Sequence, residues 1–174
     1  MGNVILISGP NGSGKSRFAE ELISRTQGRR YYIATMVAQT EDNRRRIEKH
    51  RCQRAGLEFT TLECPYTVGD VPVEPDSAVL LEDLSNLLAN NLFERGTGAD
   101  TVLEDIRTLA GRCGVLVAVT ISGLHAGKYE GETADYIKEL ERLNRLLYEL
   151  ADAAAVMEDG VPVVQKGALN LGLA

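Results

Sequence analysis

The amino-acid sequence predicts an α/β fold, in which a mostly parallel sheet is flanked by helices and ends in a short antiparallel C-terminal hairpin. Three observations predict this class. Several short runs are apolar throughout, as strands covered on both faces of a parallel sheet need to be. Segments with helical spacing separate these runs. Near the C-terminal end, Asp159-Gly160 joins two apolar runs, and this pair favours a tight hairpin turn.

The first half of the chain alternates apolar and polar elements. A β-branched apolar run that ends at Gly-Pro predicts the first strand, and an apolar stripe predicts the helix after it. A strongly polar segment predicts an exposed helix, and a stretch rich in proline over residues 65–76 predicts a loop. We therefore predict strands over residues 4–8, 30–34 and 59–62, and helices over residues 16–25 and 41–54.

The second half repeats this alternation. Apolar runs at residues 79–81 and 115–120 predict two further buried strands. Helices are predicted over residues 84–93, 101–112 and 132–151, the last from leucines that recur at helical spacing. A glycine-rich segment over residues 122–131 precedes that helix, and the hairpin strands are residues 154–157 and 161–164.

Composition and charge exclude several classes of protein. The net charge of −6 does not suit a protein that wraps nucleic acid. Cys52, Cys64 and Cys113 are odd in number and lack CxxC spacing, which favours reduced thiols over a disulfide framework or a zinc site. No run approaches the roughly 18 apolar residues of a membrane span. We expect one domain over residues 1–174, in the cytoplasm.

The most specific motif lies between the first strand and the first helix. Residues 9–16 fit the pattern G-x-x-x-x-G-K-[ST] of phosphate-binding loops, in the strand-loop-helix context that the pattern requires. Glycines allow the backbone to approach phosphate oxygens, the lysine reaches the β- and γ-phosphates, and the serine hydroxyl ligates Mg²⁺. The motif predicts a P-loop NTPase-like fold. Its residues are Gly9, Pro10, Asn11, Gly12, Ser13, Gly14, Lys15 and Ser16.

A pair of carboxylates follows the buried strand at residues 79–81. In phosphate-loop enzymes an acidic residue in this place holds the Mg²⁺ shell. We assign Glu82 to metal binding or base catalysis and Asp83 to capping the next helix. The spacing leaves open which of the two contacts the metal.

A histidine lies in the polar helix. Six basic and three acidic residues surround it over residues 41–54, and Arg46, His50 and Arg54 are four residues apart, hence on one face. Arginines there can neutralise a polyphosphate, and the imidazole can attack phosphorus to form a covalent phosphoramidate. From spacing alone, an exposed charged helix with an incidental histidine is the simpler interpretation.

Several motifs in order carry a resemblance to a known family. They are Ser13–Arg17, Tyr32-Ile33-Ala34-Thr35, Arg46-Ile47-x-x-His50 with Arg54, Thr61-x-Glu63, Leu80-Leu81-Glu82, Asn91-Leu92-Phe93, Asn144 and Ala151-Asp152. The chain resembles the bifunctional adenosylcobinamide kinase/adenosylcobinamide-phosphate guanylyltransferase family of cobalamin biosynthesis. In that family the kinase step phosphorylates the aminopropanol hydroxyl of adenosylcobinamide with ATP or GTP. A histidine then accepts GMP from GTP and passes it to the phosphorylated corrinoid.

The resemblance implies roles for individual residues. His50 would be the guanylylated nucleophile, with Lys15 and Glu82 as further catalytic residues and Mg²⁺ held by Ser16 and Glu82. The implied nucleotide-binding set adds Thr35, Arg46, Arg51, Arg54, Glu63 and Glu82 to the phosphate loop. The resemblance also implies a homo-oligomer, a trimer whose active sites lie between subunits.

One departure from the family concerns the acceptor. Ile121-Ser122 stands where family members usually carry Asn-Glu, and the following loop contains His125, either a substrate contact or a solvent-exposed side chain. Two alternatives therefore stay open. The chain is a P-loop kinase or nucleotidyltransferase with a different acceptor or only one of the two activities, or it is a non-catalytic nucleotide-binding module.

Overall fold

The structure is a computed structural model and describes residues 2–169. Within these residues seven strands form one sheet, and five α-helices connect or flank them. The elements in chain order are β1 (Asn3–Gly9), α1 (Lys15–Ser24), β2 (Arg30–Ala34), α2 (Glu41–Arg54), β3 (Phe59–Glu63), β4 (Ala78–Glu82), α3 (Leu84–Arg95), α4 (Ala99–Ala110), β5 (Val115–Ile121), α5 (Gly131–Leu150), β6 (Ala153–Glu158) and β7 (Val161–Lys166).

The sheet confirms the predicted fold class. Its strand order is β3-β2-β4-β5-β1-β6-β7, and every neighbouring pair is parallel except β6 and β7, which form the antiparallel hairpin. The central strands are apolar because both of their faces are covered. One face packs against α1, and the other packs against α3, α4 and α5.

The polar helix differs from the other helices in its packing. Most residues of α2 are exposed, as the sequence predicts, and it belongs to neither apolar core. Its last residue, Arg54, is the exception and is buried. Because residues of this helix share a cavity with the phosphate loop and Glu82, the helix lies beside the carboxyl edge of the sheet.

The loop over residues 65–76 contributes more to the core than its proline content indicates. It contains a turn of 3₁₀ helix at Val68–Asp70. Its apolar residues Val68, Val71 and Val73 are buried against the helices on the α4 side of the sheet. In the sequence these valines are interrupted by Gly69, Asp70 and Pro72, which favour a loop.

The parallel arrangement determines where functional side chains meet. Glu82 ends β4 in register with Ala34 of β2 on one side and Val119 of β5 on the other. The phosphate loop leaves β1, which is the next strand after β5. Because parallel strands end at the same edge, the loop and Glu82 face one crevice.

Candidate active site

The phosphate loop connects β1 to α1 in the conformation that its glycines permit. Gly12 and Gly14 have φ of 74° and 86°, in the left-handed region that favours glycine. Gly14 is the N-terminal cap of α1, so the first turn of that helix directs free backbone N–H groups and the positive end of its dipole at the crevice. This arrangement suits a phosphate.

Lys15 is held beneath the loop. Its side chain is buried, and its Nζ donates a hydrogen bond to the carbonyl oxygen of Pro10 at 3.3 Å. Burial lowers the pKa of the Lys15 ammonium, although the carboxylates of Asp83 and Glu82 oppose this effect. An anionic phosphate that enters the crevice would therefore find a partly desolvated cation at its base.

Ser16 and Glu82 connect the loop to the end of β4. The Ser16 hydroxyl donates a short hydrogen bond to Oε1 of Glu82, and the Tyr32 hydroxyl donates to Oε2 at 2.6 Å. Glu82 is buried, and both of its oxygens are therefore oriented by neighbouring donors. Burial and the adjacent carboxylate raise the pKa of Tyr32, so its phenol stays protonated as a donor.

The neighbouring carboxylate, Asp83, has a structural role. Oδ1 of Asp83 accepts hydrogen bonds from the backbone N–H of Asn86 at 2.8 Å and from the Ser85 hydroxyl at 2.7 Å. Asp83 is thus the N-terminal cap of α3, as we predicted from the sequence. The geometry leaves Glu82 as the carboxylate that faces Ser16.

A cavity of about 650 Å³ lies between the phosphate loop and α2. His50 lines it together with Lys15, Ser16 and Glu82. The predicted cationic face of α2 also lines it, through Arg46, Lys49, Arg51 and Arg54. The structure therefore brings the histidine of the second motif into the same space as the phosphate loop, within one chain.

The arginines of that face differ in their surroundings. Arg54 is buried, with its guanidinium carbon 3.5 Å from the centroid of the Tyr32 ring. Arg51 is exposed and forms an ion pair with Glu63, Nη2 to Oε1, at 3.3 Å. Arg54 is therefore a fixed cation at the back of the cavity, and Arg51 and Glu63 lie at its rim.

Other predicted site residues lie outside the cavity wall. Thr35 is fully buried, and its hydroxyl donates to the carbonyl of Asp83 and accepts from the Asp83 N–H. It supports the turn after β4 from behind. Within the loop, Asn11, Gly12 and Gly14 line the cavity, whereas Gly9, Pro10 and Ser13 belong to the turn beneath them.

One acidic residue of the site was not predicted from the sequence. Glu20 of α1 is 2% exposed, and one oxygen or nitrogen from each of Glu20, His50 and Glu82 lies within 4.8 Å of the others. Burial raises the pKa of Glu20 to about 7. A sequence signal existed, because Ser16 and Glu20 are four residues apart and so share a face of α1.

A second cavity, of about 370 Å³, opens beside the carboxyl end of β5. It is lined by the segment from Ile121 to His125 and by α5 residues that include Asn144. The amide of Asn144 donates to the carbonyl of Ile121 at 3.0 Å and its oxygen accepts from the Thr120 hydroxyl. His125 is exposed at the edge of this cavity.

Comparison with known proteins places this geometry in a family. The profile of the CobU family, described as "Cobinamide kinase / cobinamide phosphate guanyltransferase", matches residues 5–164. The chain belongs to this family. The match includes the phosphate loop, α2 with His50, and the strand that ends at Glu82, so the CobU family is the one that the sequence motifs indicate.

Two CobU-family relatives show how widely the similarity extends. The bifunctional adenosylcobalamin biosynthesis protein CobU of Salmonella typhimurium is 28% identical, over 92% of this chain and 98% of that protein. The bifunctional adenosylcobalamin biosynthesis protein CobP of Pseudomonas aeruginosa is 29% identical, over 93% and 96%. These relatives are enzymes of similar length, and the similarity is not confined to the phosphate loop.

The fold is also found among solved structures. A Pyrococcus horikoshii OT3 protein, solved in a structural study as project PH0250, superposes with a TM-score of 0.55 over 95% of this chain and 86% of its own. At 12% identity it supports the fold alone. Among residues 2–169, no helix has the length and apolar character needed to cross a bilayer.

Proposed function

We propose that this CobU-family chain phosphorylates the aminopropanol hydroxyl of adenosylcobinamide and then transfers GMP from GTP to the product through a guanylylated His50. The observation that carries the proposal is the shared cavity, in which His50 and the phosphate loop line one space. Family membership supports the same pair of reactions. The cavity's volume of about 650 Å³ falls within the range that encloses one small ligand, roughly 300–1,000 Å³.

In the kinase step, the phosphate loop would hold the triphosphate of ATP or GTP. The N–H groups of the first turn of α1 would bind the phosphate oxygens, and Lys15 would neutralise charge on the β- and γ-phosphates. The corrinoid hydroxyl would attack the γ-phosphorus and release its proton to solvent. The bond from that phosphorus to the β–γ bridging oxygen would break, and the nucleoside diphosphate would leave. Rate acceleration would come from positioning and charge stabilisation, as is general for phosphoryl transfer.

Mg²⁺ fits the oxygen donors at this edge of the sheet. Ser16 and Glu82 offer a hydroxyl and a carboxylate beside the phosphate loop, and Mg²⁺ prefers a few such ligands together with substrate phosphates. When bound, the ion would neutralise charge that develops on the phosphate oxygens. Glu82 is suited to the role because hydrogen bonds from Tyr32 and Ser16 fix the orientation of its carboxylate.

In the transferase step, Nε2 of His50 would attack the α-phosphorus of GTP. The N–P bond forms, the bond to the bridging oxygen breaks and pyrophosphate leaves. A phosphate oxygen of the adenosylcobinamide phosphate then attacks the same phosphorus, and the N–P electron pair returns to the imidazole. Arg46, Arg51 and Arg54 of α2 line the cavity and would neutralise the phosphates.

Location and assembly are part of the proposal. Reduced thiols at Cys52, Cys64 and Cys113 and the substrate class support a cytoplasmic enzyme. The family resemblance supports a homotrimer. The exposed apolar side chains of Phe93, Val161 and Val164 offer surface for subunit contacts.

The proposal is tested by supplying adenosylcobinamide and its phosphate separately. With adenosylcobinamide, release of ADP or GDP reports the kinase step. With the phosphate and GTP, release of pyrophosphate reports the transferase step. Turnover of only one acceptor, or of neither while GTP still binds, would contradict the two-step function.

A further inference from the structure

Glu20 is a buried acid that the proposed reaction has not used. It lies on α1, one turn after Ser16, and is 2% exposed. Its Oε2 accepts a hydrogen bond from Nε2 of Gln53 at 2.8 Å, but its Oε1 is buried without a hydrogen-bond partner among residues 2–169. A buried carboxylate oxygen without a partner is costly, so its position calls for an explanation.

His50 also has a buried polar atom that lacks a hydrogen-bond partner among residues 2–169. Its Nδ1 is also buried and has no hydrogen-bond partner in the described part of the chain. The ring lies within 4.8 Å of both Glu20 and Glu82, measured between potential ligand atoms. Each buried atom thus has a potential partner in the other residue.

The two carboxylates are not equivalent as acceptors for His50. Both oxygens of Glu82 already accept hydrogen bonds, from Ser16 and from Tyr32. Among the described residues, nothing donates a hydrogen bond to Oε1 of Glu20. The arrangement therefore favours Glu20 over Glu82 as the partner of His50.

We propose that Glu20 is the residue that orients His50, by accepting a hydrogen bond from its Nδ1–H through Oε1. This inference rests on the proposed function of His50 as nucleophile. A proton held on Nδ1 leaves the lone pair on Nε2, because the hydrogen bond of one ring nitrogen sets the tautomer of the other. The pairing also stabilises the positive charge that the ring acquires when Nε2 bonds to phosphorus, and the Nδ1 proton does not leave. In enzymes without bound substrate, the hydrogen bonds of catalytic residues are often longer than in the substrate complex.

A simpler role for Glu20 is to dock α2 onto α1 through Gln53. The two roles predict different results in a pair of variants. Glu20→Met removes both oxygens with little change in length, whereas Gln53→Met removes only the amide that donates to Glu20. If docking were the only role, both variants would act alike.

The test is the tautomer of His50, read from the ring ¹⁵N shifts and couplings in the nucleotide-free protein at a pH well above the ordinary histidine pKa of about 6.5. His50 and His125 are the chain's two histidines, so His125→Gln assigns the spectrum. We expect the Nδ1–H tautomer in the wild type and in Gln53→Met, and a shift toward Nε2–H in Glu20→Met. Glu20→Met should also slow formation of the GMP adduct by about 10- to 100-fold, the loss typical when the partner that orients a metal-bound histidine is removed.

A wild-type His50 with the proton on Nε2 would overturn the proposal, and this result needs no variant to fold. An unchanged tautomer in Glu20→Met would also overturn it. Loss of the Nδ1–H signature on addition of EDTA would indicate a shared cation instead of a hydrogen bond. A correct tautomer in a protein that forms no GMP adduct would instead contradict the proposed function and leave the pairing intact.

Discussion

The phenol of Tyr32 donates a 2.6 Å hydrogen bond to Oε2 of Glu82, across the boundary between β2 and β4. The contact fixes the carboxylate that faces Ser16, and the same ring carries the guanidinium of Arg54 on its face. One buried aromatic side chain thus connects the predicted metal residue to the cationic helix.

Tyr32→Phe should leave the Glu82 carboxylate less well positioned and so weaken Mg²⁺ binding. Without the phenol, one buried carboxylate oxygen loses its donor, which we expect to raise the Mg²⁺ concentration for half-maximal kinase rate by about tenfold. Steady-state kinase assays over a Mg²⁺ series would measure this. Tyr31→Phe is the matched control, because Tyr31 is the adjacent residue on the opposite face of β2, in the other core. Equal effects of the two variants would refute the role of this contact.

Substitutions at Glu82 should lower activity, whereas substitutions at Asp83 should lower stability. Glu82→Gln removes the charge that faces Ser16, and we expect both reactions to slow by about 10- to 100-fold with little change in unfolding free energy. Asp83→Ala removes the cap of α3 and should cost about 1 kcal/mol of stability, whereas Asp83→Asn should largely retain it. Chemical denaturation and activity assays on the three proteins provide the measurement. Loss of metal dependence in Asp83→Asn would reverse the assignment.

One cavity implies competition between the two nucleotide-dependent steps. A non-hydrolysable ATP analogue should occupy the phosphate loop and so raise the GTP concentration needed for half-maximal formation of the GMP adduct, leaving the maximal rate unchanged. Labelling with α-labelled GTP at several analogue concentrations would measure this. If a saturating analogue had no effect on labelling, the GTP that reacts with His50 would have to bind at a separate site, which would contradict a shared cavity.

The cysteines should differ in reactivity with pH. Burial raises the pKa of the Cys113 thiol to about 11, while Cys52 is exposed. At about pH 8 only on the order of one in a thousand Cys113 thiols would be ionised, and since the thiolate is the reactive form, alkylation should be slow and should accelerate as the pH rises toward 11. Peptide mass spectrometry after timed alkylation would compare the two. Rapid native alkylation of Cys113 would contradict its burial.

Some of the site could be predicted from sequence because it depends on local patterns. The phosphate loop and the cap at Asp83 need only neighbouring residues, and the bounds of α2 follow from its polar composition. Because parallel strands end at the same edge of the sheet, Glu82 then lies beside the phosphate loop. Glu20 was missed because a glutamate next to the apolar stripe of a helix is usually exposed. Its burial depends on contact with α2, where its hydrogen-bond donor Gln53 lies 33 residues further along the chain. Thr35, grouped with the nucleotide by resemblance, lies behind the cavity because its hydroxyl binds the Asp83 backbone.

The central claim is that His50 carries GMP, and intact-protein and peptide mass spectrometry after incubation with GTP and Mg²⁺ tests it most directly. Lys15→Ala, which removes the buried cation of the loop, should give no adduct, and His125→Gln should give the wild-type result. We predict one GMP per chain, bound to His50 and stable in base but lost in acid. A wild-type protein that binds GTP and stays unmodified, or one modified at another residue, would contradict the account.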